Sequence, residues 1–130
     1  MLALDTNVLV ALQKLEPQAF GHYQRALVTV PVVVPSIVRY EARRSLLDPQ
    51  FSRRLARLDT LLSGHAVLDV NAATADIAAT LYHQLRSAGA LIDDADLLIA
   101  ANCIQHGATL VTRNTGHFQR ISNLHPADWL

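Results

Sequence analysis

Three carboxylates fall within four residues, at Asp93, Asp94 and Asp96. The positive end of a helix dipole accounts for one or two anions in a first turn. Three close carboxylates also repel one another and raise each other's pKa; a divalent cation removes that repulsion. Asp96 is followed by Leu97-Leu98-Ile99-Ala100-Ala101, so the acid stands where a buried helix begins. Asp5 closes the apolar run Leu2-Ala3-Leu4. A carboxylate there must be solvated, paired or metal-bound, because a bare buried charge is prohibitive. Capping the next helix is its plainer use. Glu41 lies among Arg39, Arg43 and Arg44, where a surface ion pair is the plainer use. Thr112-Arg113-Asn114 follows a further apolar run and offers neutral oxygens as ligands or hydrogen-bond partners; a polar turn is the alternative.

Oxygen donors from Asp, Glu and Asn suit a hard cation, Mg²⁺ or Mn²⁺. The six histidines, His22, His65, His83, His106, His117 and His125, show no zinc spacing such as HxxxH. His117 lies near enough to Asn114 to reach a shared site, whereas His106 and His125 read as surface residues. Cys103 is the lone cysteine and reads as a buried core thiol.

The elements that must position these groups follow from periodicity. Leu2-Ala3-Leu4 reads as a buried strand, and Thr6-Asn7 start a helix through Val8, Leu9, Leu12 and Leu15. Pro17 opens a second helix to about Leu27. Val30 to Val34 is β-branched and reads as the second strand, with Pro31 near its start. Ser36 suits the cap of a helix through Leu46. Another helix runs from about Pro49 to Leu62, with Phe51, Leu55, Leu58, Leu61 and Leu62 on one face, and Gly64 stops it.

Ala66-Val67-Leu68 is a third strand. Asn71 caps a long helix to about Ser87, which Gly89 ends. Asp93 or Asp94 caps a helix burying Leu97, Leu98, Ala101 and Ile104, ended by Gly107. Thr109 to Thr112 is the fourth strand, and the remaining tail reads as irregular with short elements. Strands alternating with helices predict a mostly parallel sheet covered on both faces, with a site beyond the strands' carboxyl ends.

The chain has 130 residues, enough for one domain, and 51% of them are hydrophobic. Eleven basic residues balance eleven acidic ones, so net charge does not advertise nucleic-acid binding. The distribution says more. Arg39, Arg43, Arg44, Arg53, Arg54 and Arg57 crowd one stretch, which is either a patch for a phosphate backbone or a solvated helix face. No signal peptide and no membrane-length apolar run is visible, which predicts a cytoplasmic location.

The ordered set of these segments resembles the PIN-domain nucleases, and among them the VapC-type toxins of bacterial toxin–antitoxin pairs. The matching stretches are Leu4-Asp5-Thr6-Asn7-Val8-Leu9-Val10, Glu41 within Ser36 to Glu41, Asp94-Ala95-Asp96 with the apolar run after it, and Leu110-Val111-Thr112-Arg113-Asn114 followed by His117-Phe118. A closing Arg120-Ile121 with Leu124 and Trp129 is similar to the family's tail. The resemblance covers essentially the whole chain. It implies a single PIN domain over 1–130: a three-layer α/β/α sandwich around a mostly parallel sheet of four to five strands.

By position, Asp5 and Asp96 match the family's metal-binding carboxylates, and Glu41 its third acid, often linked to the metal through water. Asp94 matches an assisting position. Asn114 and His117 stand where the family has a fourth acid, which departs from its pattern. The resemblance implies a Mg²⁺- or Mn²⁺-dependent endoribonuclease acting on RNA such as transfer or messenger RNA, a cognate antitoxin and a homodimer. In such a mechanism Glu41 or Asp94 orients or deprotonates the attacking water. Asn114 joins these two as a catalytic candidate, and Thr6, Asn7, Thr112, His117, Arg39 and Arg43 are candidates to support the acids or hold the substrate.

Two other readings compete. A nucleic-acid-binding module that acts with a partner without cleavage would explain the altered fourth position. A haloacid-dehalogenase-type phosphatase would use an Asp after the first strand, but it needs a second Asp where this chain has Asn7 and a lysine where only Lys14 exists.

Overall fold

Leu2–Leu4 forms β1, and the chain turns at Asp5 into α1 (Thr6–Gln13). There follow α2 (Pro17–Leu27), β2 (Val32–Pro35), α3 (Ser36–Arg44), a 3₁₀ turn at Pro49–Phe51 and α4 (Ser52–Ser63). The second half holds β3 (Ala66–Leu68), α5 (Ala72–Ser87), α6 (Asp94–His106), β4 (Thr109–Val111), α7 (Thr115–Phe118) and β5 (Pro126–Ala127). The structure is a computed structural model, and it describes residues 1–129. Among them no helix is long and apolar enough to cross a membrane.

The five strands form one parallel sheet in the order β3-β2-β1-β4-β5. The chain leaves β1 toward β2 and β3, then crosses back to β4 and β5. Right-handed crossovers therefore send α1 to α4 to one face and α5 to α7 to the other. The three-layer α/β/α architecture expected from the sequence is the one observed. Strand order reverses between β1 and β4, and the connections after these two strands depart to opposite faces. That opens a crevice beyond their carboxyl ends.

The core is apolar and continuous. Ala3 and Leu4 of β1 are fully buried toward opposite faces of the sheet, as are Val8, Leu9 and Val38 of α1 and α3 and Ile99, Ala100, Leu110 and Phe118 among the later elements. Asn71 caps α5 in a reciprocal box with Thr74, as its type predicts. Gly107 closes α6 with φ +65°, a left-handed conformation that glycine adopts without a Cβ penalty.

Several boundaries differ from the sequence reading. β2 begins at Val32, after exposed Pro31, and runs through Pro35 rather than spanning Val30 to Val34. Pro31 has no N–H to donate, so only its carbonyl takes part, accepting from Leu2 N at 2.9 Å, and the regular strand starts one residue later. α1 ends at Gln13; Leu15 lies outside it with φ +53° and is exposed. Pro35, not Ser36, is the cap position of α3, and no side chain caps that helix. The helix expected from Pro49 opens as the 3₁₀ turn, and only Leu58 and Leu62 of α4 are fully in the core. On α6 the buried set is Leu97, Ile99, Ala100, Ala101, Asn102 and Cys103, while Leu98 and Ile104 are half-buried. β4 stops at Val111, and the tail supplies a fifth strand.

Candidate functional site

Asp5 occupies the crevice because its backbone continues β1 one step further. Its N–H donates to Val111 O of β4 at 2.9 Å, which ties it to the neighbouring strand. The residue is 6% exposed. Each carboxylate oxygen has one donor and a lone pair to spare: Oδ1 accepts from Thr6 N at 2.8 Å and Oδ2 from Thr112 Oγ1 at 2.7 Å. Burial raises the carboxyl above its ordinary pKa, and the two hydrogen bonds offset this only in part. Asp5 thus caps α1, the plainer role foreseen for it, and also faces the crevice.

Thr6 links Asp5 to the second acid. Its Oγ1 donates to Glu41 Oε1 at 2.9 Å, joining α1 to α3 across 35 positions of sequence. Asp96, on the first turn of α6, supplies the third acid. Burial first, then the charges of Asp5, Glu41 and Asp93, raise its carboxyl pKa; His117 acts in the opposite direction. The charges of Asp5 and Glu41 are thus felt at Asp96, across the crevice from the Thr6 bridge. Among the described residues, however, no three His, Cys, Asp or Glu side chains already stand as a ready-made ligand group.

Asp94 lies outside this convergence. It is exposed and lines a shallow groove of about 390 Å³ with Ala78, Ala79, Tyr82, Leu97 and Leu98. Neighbouring residues on a helix point roughly 100° apart, so Asp94 and Asp96 cannot share a face. Asp93 takes the cap position of α6 without a side-chain cap bond.

The fourth segment builds the crevice's far wall. Thr112 is fully buried, and its Oγ1 also accepts from Asn114 N at 2.9 Å. Asn7 Oδ1 accepts from Arg113 N at 3.2 Å, which fixes α1 against the β4–α7 turn. The Arg113 guanidinium turns away to pair with Glu16. Asn114 Nδ2 lies 2.9 Å from His117 Nδ1, and that nitrogen lies 3.7 Å from Asp96 Oδ2. Beneath the site, burial and the charge of Asp5 push the Cys103 thiol up to about 12, so it stays protonated and offers no thiolate.

The basic stretch divides. Arg43 is held by Asp59 of α4, Arg44 lies over the Tyr40 ring at 5.0 Å, and Arg54 over the Phe51 ring at 5.4 Å. Arg39 is half-buried on α3. Arg54 and Arg57 line a groove of about 560 Å³ with Val10, Gln13, Lys14 and Leu15. That groove lies at the end of α1 remote from Asp5.

One anchoring network escaped the sequence reading. Asn102, buried in α6, donates to Asp69 O at 3.1 Å and to Thr74 Oγ1 at 3.4 Å; Gln105 adds bonds to Thr74 and Asn71. It pins α6, and with it Asp96, to the start of α5. The only signal in the sequence is a lone amide within an apolar run.

Comparison with known proteins gives a consistent picture. The family model described as PIN domain matches residues 2–124. Ribonuclease VapC2 of Rickettsia felis is 30% identical over 128 residues, 97% of this chain and 96% of the relative. The tRNA(fMet)-specific endonuclease VapC of Shigella flexneri is 28% identical over 130 residues, with the same two coverages. Among solved structures, a chain of VapBC2 from Rickettsia felis, crystallised with a DNA fragment from their promoter, superposes with a TM-score of 0.91 at 28% identity, covering 98% of both chains.

Proposed function

Because this chain belongs to the PIN domain family, we propose that it is a divalent-metal-dependent endoribonuclease, the toxin of a toxin–antitoxin pair. Its similarity to VapC ribonucleases along nearly its whole length supports the activity. The single observation that carries the site assignment is the Thr6 bridge between Asp5 and Glu41, with Asp96 of α6 brought within reach of both charges.

PIN-domain ribonucleases are in general divalent-metal dependent, and the donor set here fits such an ion. Asp5 and Asp96 are acids whose burial and mutual repulsion a dication would relieve. Oxygen donors suit Mg²⁺, and Mn²⁺ equally. Asp5 and Asp96 would hold the ion, and it would supply Lewis-acid polarisation of the scissile phosphate and a more acidic water.

The chain's own residues do the rest. Thr112 and the Thr6 amide fix both Asp5 oxygens, so the carboxylate enters the reaction already oriented. Thr6 occupies one Glu41 oxygen and leaves the other to accept a proton from the attacking water. Glu41 serves this role better than Asp94, which faces the α5 groove. Asn114 and His117 border the remaining side, where a ribose or leaving oxygen would emerge.

The substrate is a structured RNA, a transfer RNA being the leading choice because one relative is named for cleaving tRNA(fMet). The partners are a cognate antitoxin, in keeping with the VapBC complexes among the similar structures, and a second copy of the chain. The test is cleavage of RNA by the purified chain with and without Mg²⁺ or Mn²⁺. Metal-dependent products that disappear in Asp5→Asn and Asp96→Asn are expected. Undiminished cleavage by either variant would overturn the site assignment.

A further inference from the structure

The groove at the far end of α1 carries charge that nothing in the fold uses. Lys14, Arg54 and Arg57 border its volume of about 560 Å³ with Val10, Gln13 and Leu15, and no carboxylate is among these residues. All three cations are exposed, and among the described residues none of them is in an ion pair. Arg54 sits in the first turn of α4 and Arg57 one turn later, so the two share a face. A helix N-terminus favours anions, yet this first turn has no acidic residue. The arginines therefore stand where they weaken the helix unless an anion joins them.

A second observation points the same way. Gln13 Nε2 is cut off from water and meets no acceptor, as is true of only one other buried side-chain atom among the described residues. That other atom, Asn102 Oδ1, belongs to the α5–α6 anchor, whereas Gln13 borders the groove. A turn about the last bond of the Gln13 side chain brings its donor to that space. The groove then presents three cations and a neutral N–H donor beside an apolar wall of Val10 and Leu15. A phosphate suits the donors, and its sugar or base the wall.

Thr6, Val10 and Gln13 recur at intervals of four and three residues, which puts them on one face of α1. Thr6 holds Glu41 at the crevice, so that face leads from the crevice to the groove. Resting on the reading of the chain as a ribonuclease, we propose that the groove binds a backbone phosphate of the RNA and that Gln13 makes the directed contact to it. From Asp5 to Gln13 the helix advances about 12 Å, and a stacked strand advances roughly 3.4 Å per phosphate, so this phosphate lies about three to four nucleotides from the bond being cleaved. The site reads no base; it favours RNAs that extend past the crevice on this side. The unbroken path along α1 is what favours a nucleic-acid strand over an acidic peptide.

The experiment uses the full-length chain without metal and a fluorescein-labelled twelve-nucleotide oligouridylate, read by anisotropy at several salt concentrations. Gln13→Leu removes the unpaired donor without changing charge. It should lose about tenfold in RNA affinity, the size of a hydrogen bond to a charged group, keep the parent's salt slope and melt no lower than the parent. Gln13→Glu gains cationic neighbours for the fold and should repel the RNA more strongly still. In metal-dependent cleavage the loss in Gln13→Leu should fall on KM rather than kcat. Parent RNA affinity in both Gln13 variants would overturn the site and leave the ribonuclease reading to be judged by cleavage. Two controls test other anions: an oligoglutamate peptide, or inorganic phosphate, bound as tightly as the oligonucleotide and weakened by the same variants, would overturn the assignment to RNA. Gln13-dependent RNA binding by a parent chain that cleaves no RNA with metal would overturn the ribonuclease reading and the register to a cleaved bond with it.

Discussion

Thr112 Oγ1 donates to Asp5 Oδ2 at 2.7 Å across 107 positions of sequence. This bond closes the crevice at the point where strand order reverses, because β1 and β4 are neighbours in the sheet. Both residues are buried, so no water stands in for either partner. Replacing the hydroxyl by a methyl of the same shape, in Thr112→Val, strips a buried carboxylate of its donor. A loss of about 1–3 kcal/mol in unfolding free energy is expected, read by urea denaturation. RNA cleavage should fall as well, since Asp5 loses its fixed orientation.

Thr6 carries the same logic to Glu41 in α3, the proposed proton acceptor, and here kinetics separate two roles. Glu41→Gln keeps the side chain's shape but removes its basicity. A fall in kcat of roughly 10²–10⁴ is expected, the span of general-base contributions. Thr6→Ser keeps the hydroxyl that donates to Glu41 and should cleave RNA close to the parent rate; Thr6→Val should not. Equal rates for Thr6→Val and parent would remove Thr6 from the mechanism.

The raised pKa values of Asp5 and Asp96 make the metal-free chain sensitive to pH in a defined direction. Each folded carboxyl holds its proton more tightly than the unfolded one. The stabilising contribution is therefore fully present below the ordinary carboxylate pKa of 3.8 and is lost as pH rises through the raised folded value. At neutral pH the two charges weigh against folding, and Asp96→Asn should melt higher than the parent without metal, by a few degrees. With saturating Mn²⁺ the order reverses: at a hundred times Kd the parent gains about 2.7 kcal/mol, on the order of 10 °C. Thermal melts with and without metal at pH 5 and pH 7.5 check both signs.

The arginines should divide by whether they are already occupied. Arg43 is committed to Asp59, and both side chains are partly solvated, so breaking that pair by Arg43→Ala costs less than about 1 kcal/mol. It should leave RNA affinity nearly unchanged. Arg57 faces the open groove with Lys14 and Arg54. Arg57→Ala should weaken RNA binding uniformly across sequences and reduce the salt slope by about one. Fluorescence anisotropy at several ionic strengths measures both.

Much of this architecture was legible because chemistry-bearing residues stood at the ends of apolar runs. Asp5 after Leu2-Ala3-Leu4 and Thr112 after Leu110-Val111 follow directly from strand periodicity and the rule that parallel sheets bind beyond their carboxyl ends. Asp96 was singled out by the apolar run after it and by the resemblance, but that Asp94 turns toward α5 instead was not legible. That choice depends on the rotation of α6 against α3, set by packing rather than by a first turn's composition. Asn102 was hidden for a related reason: its partners, Asp69 O and Thr74, lie on another element. The pairing of Arg43 with Asp59 joins two helices whose mutual approach no local pattern encodes. Pro31 was placed near the start of β2 because β-branched neighbours surround it; its carbonyl does accept from Leu2 N, but without an N–H it cannot extend the strand.

β1 is only three residues long, yet it has a hydrogen-bonded strand on each side and helices over both faces. Its amides have no route to solvent short of opening the whole sheet. Deuterium should therefore reach Leu4 and Asp5 last, while Ala127 in the two-residue border strand labels early. The backbone that places Asp5 thus stays closed as long as the sheet does, and breathing at the border strand leaves it undisturbed.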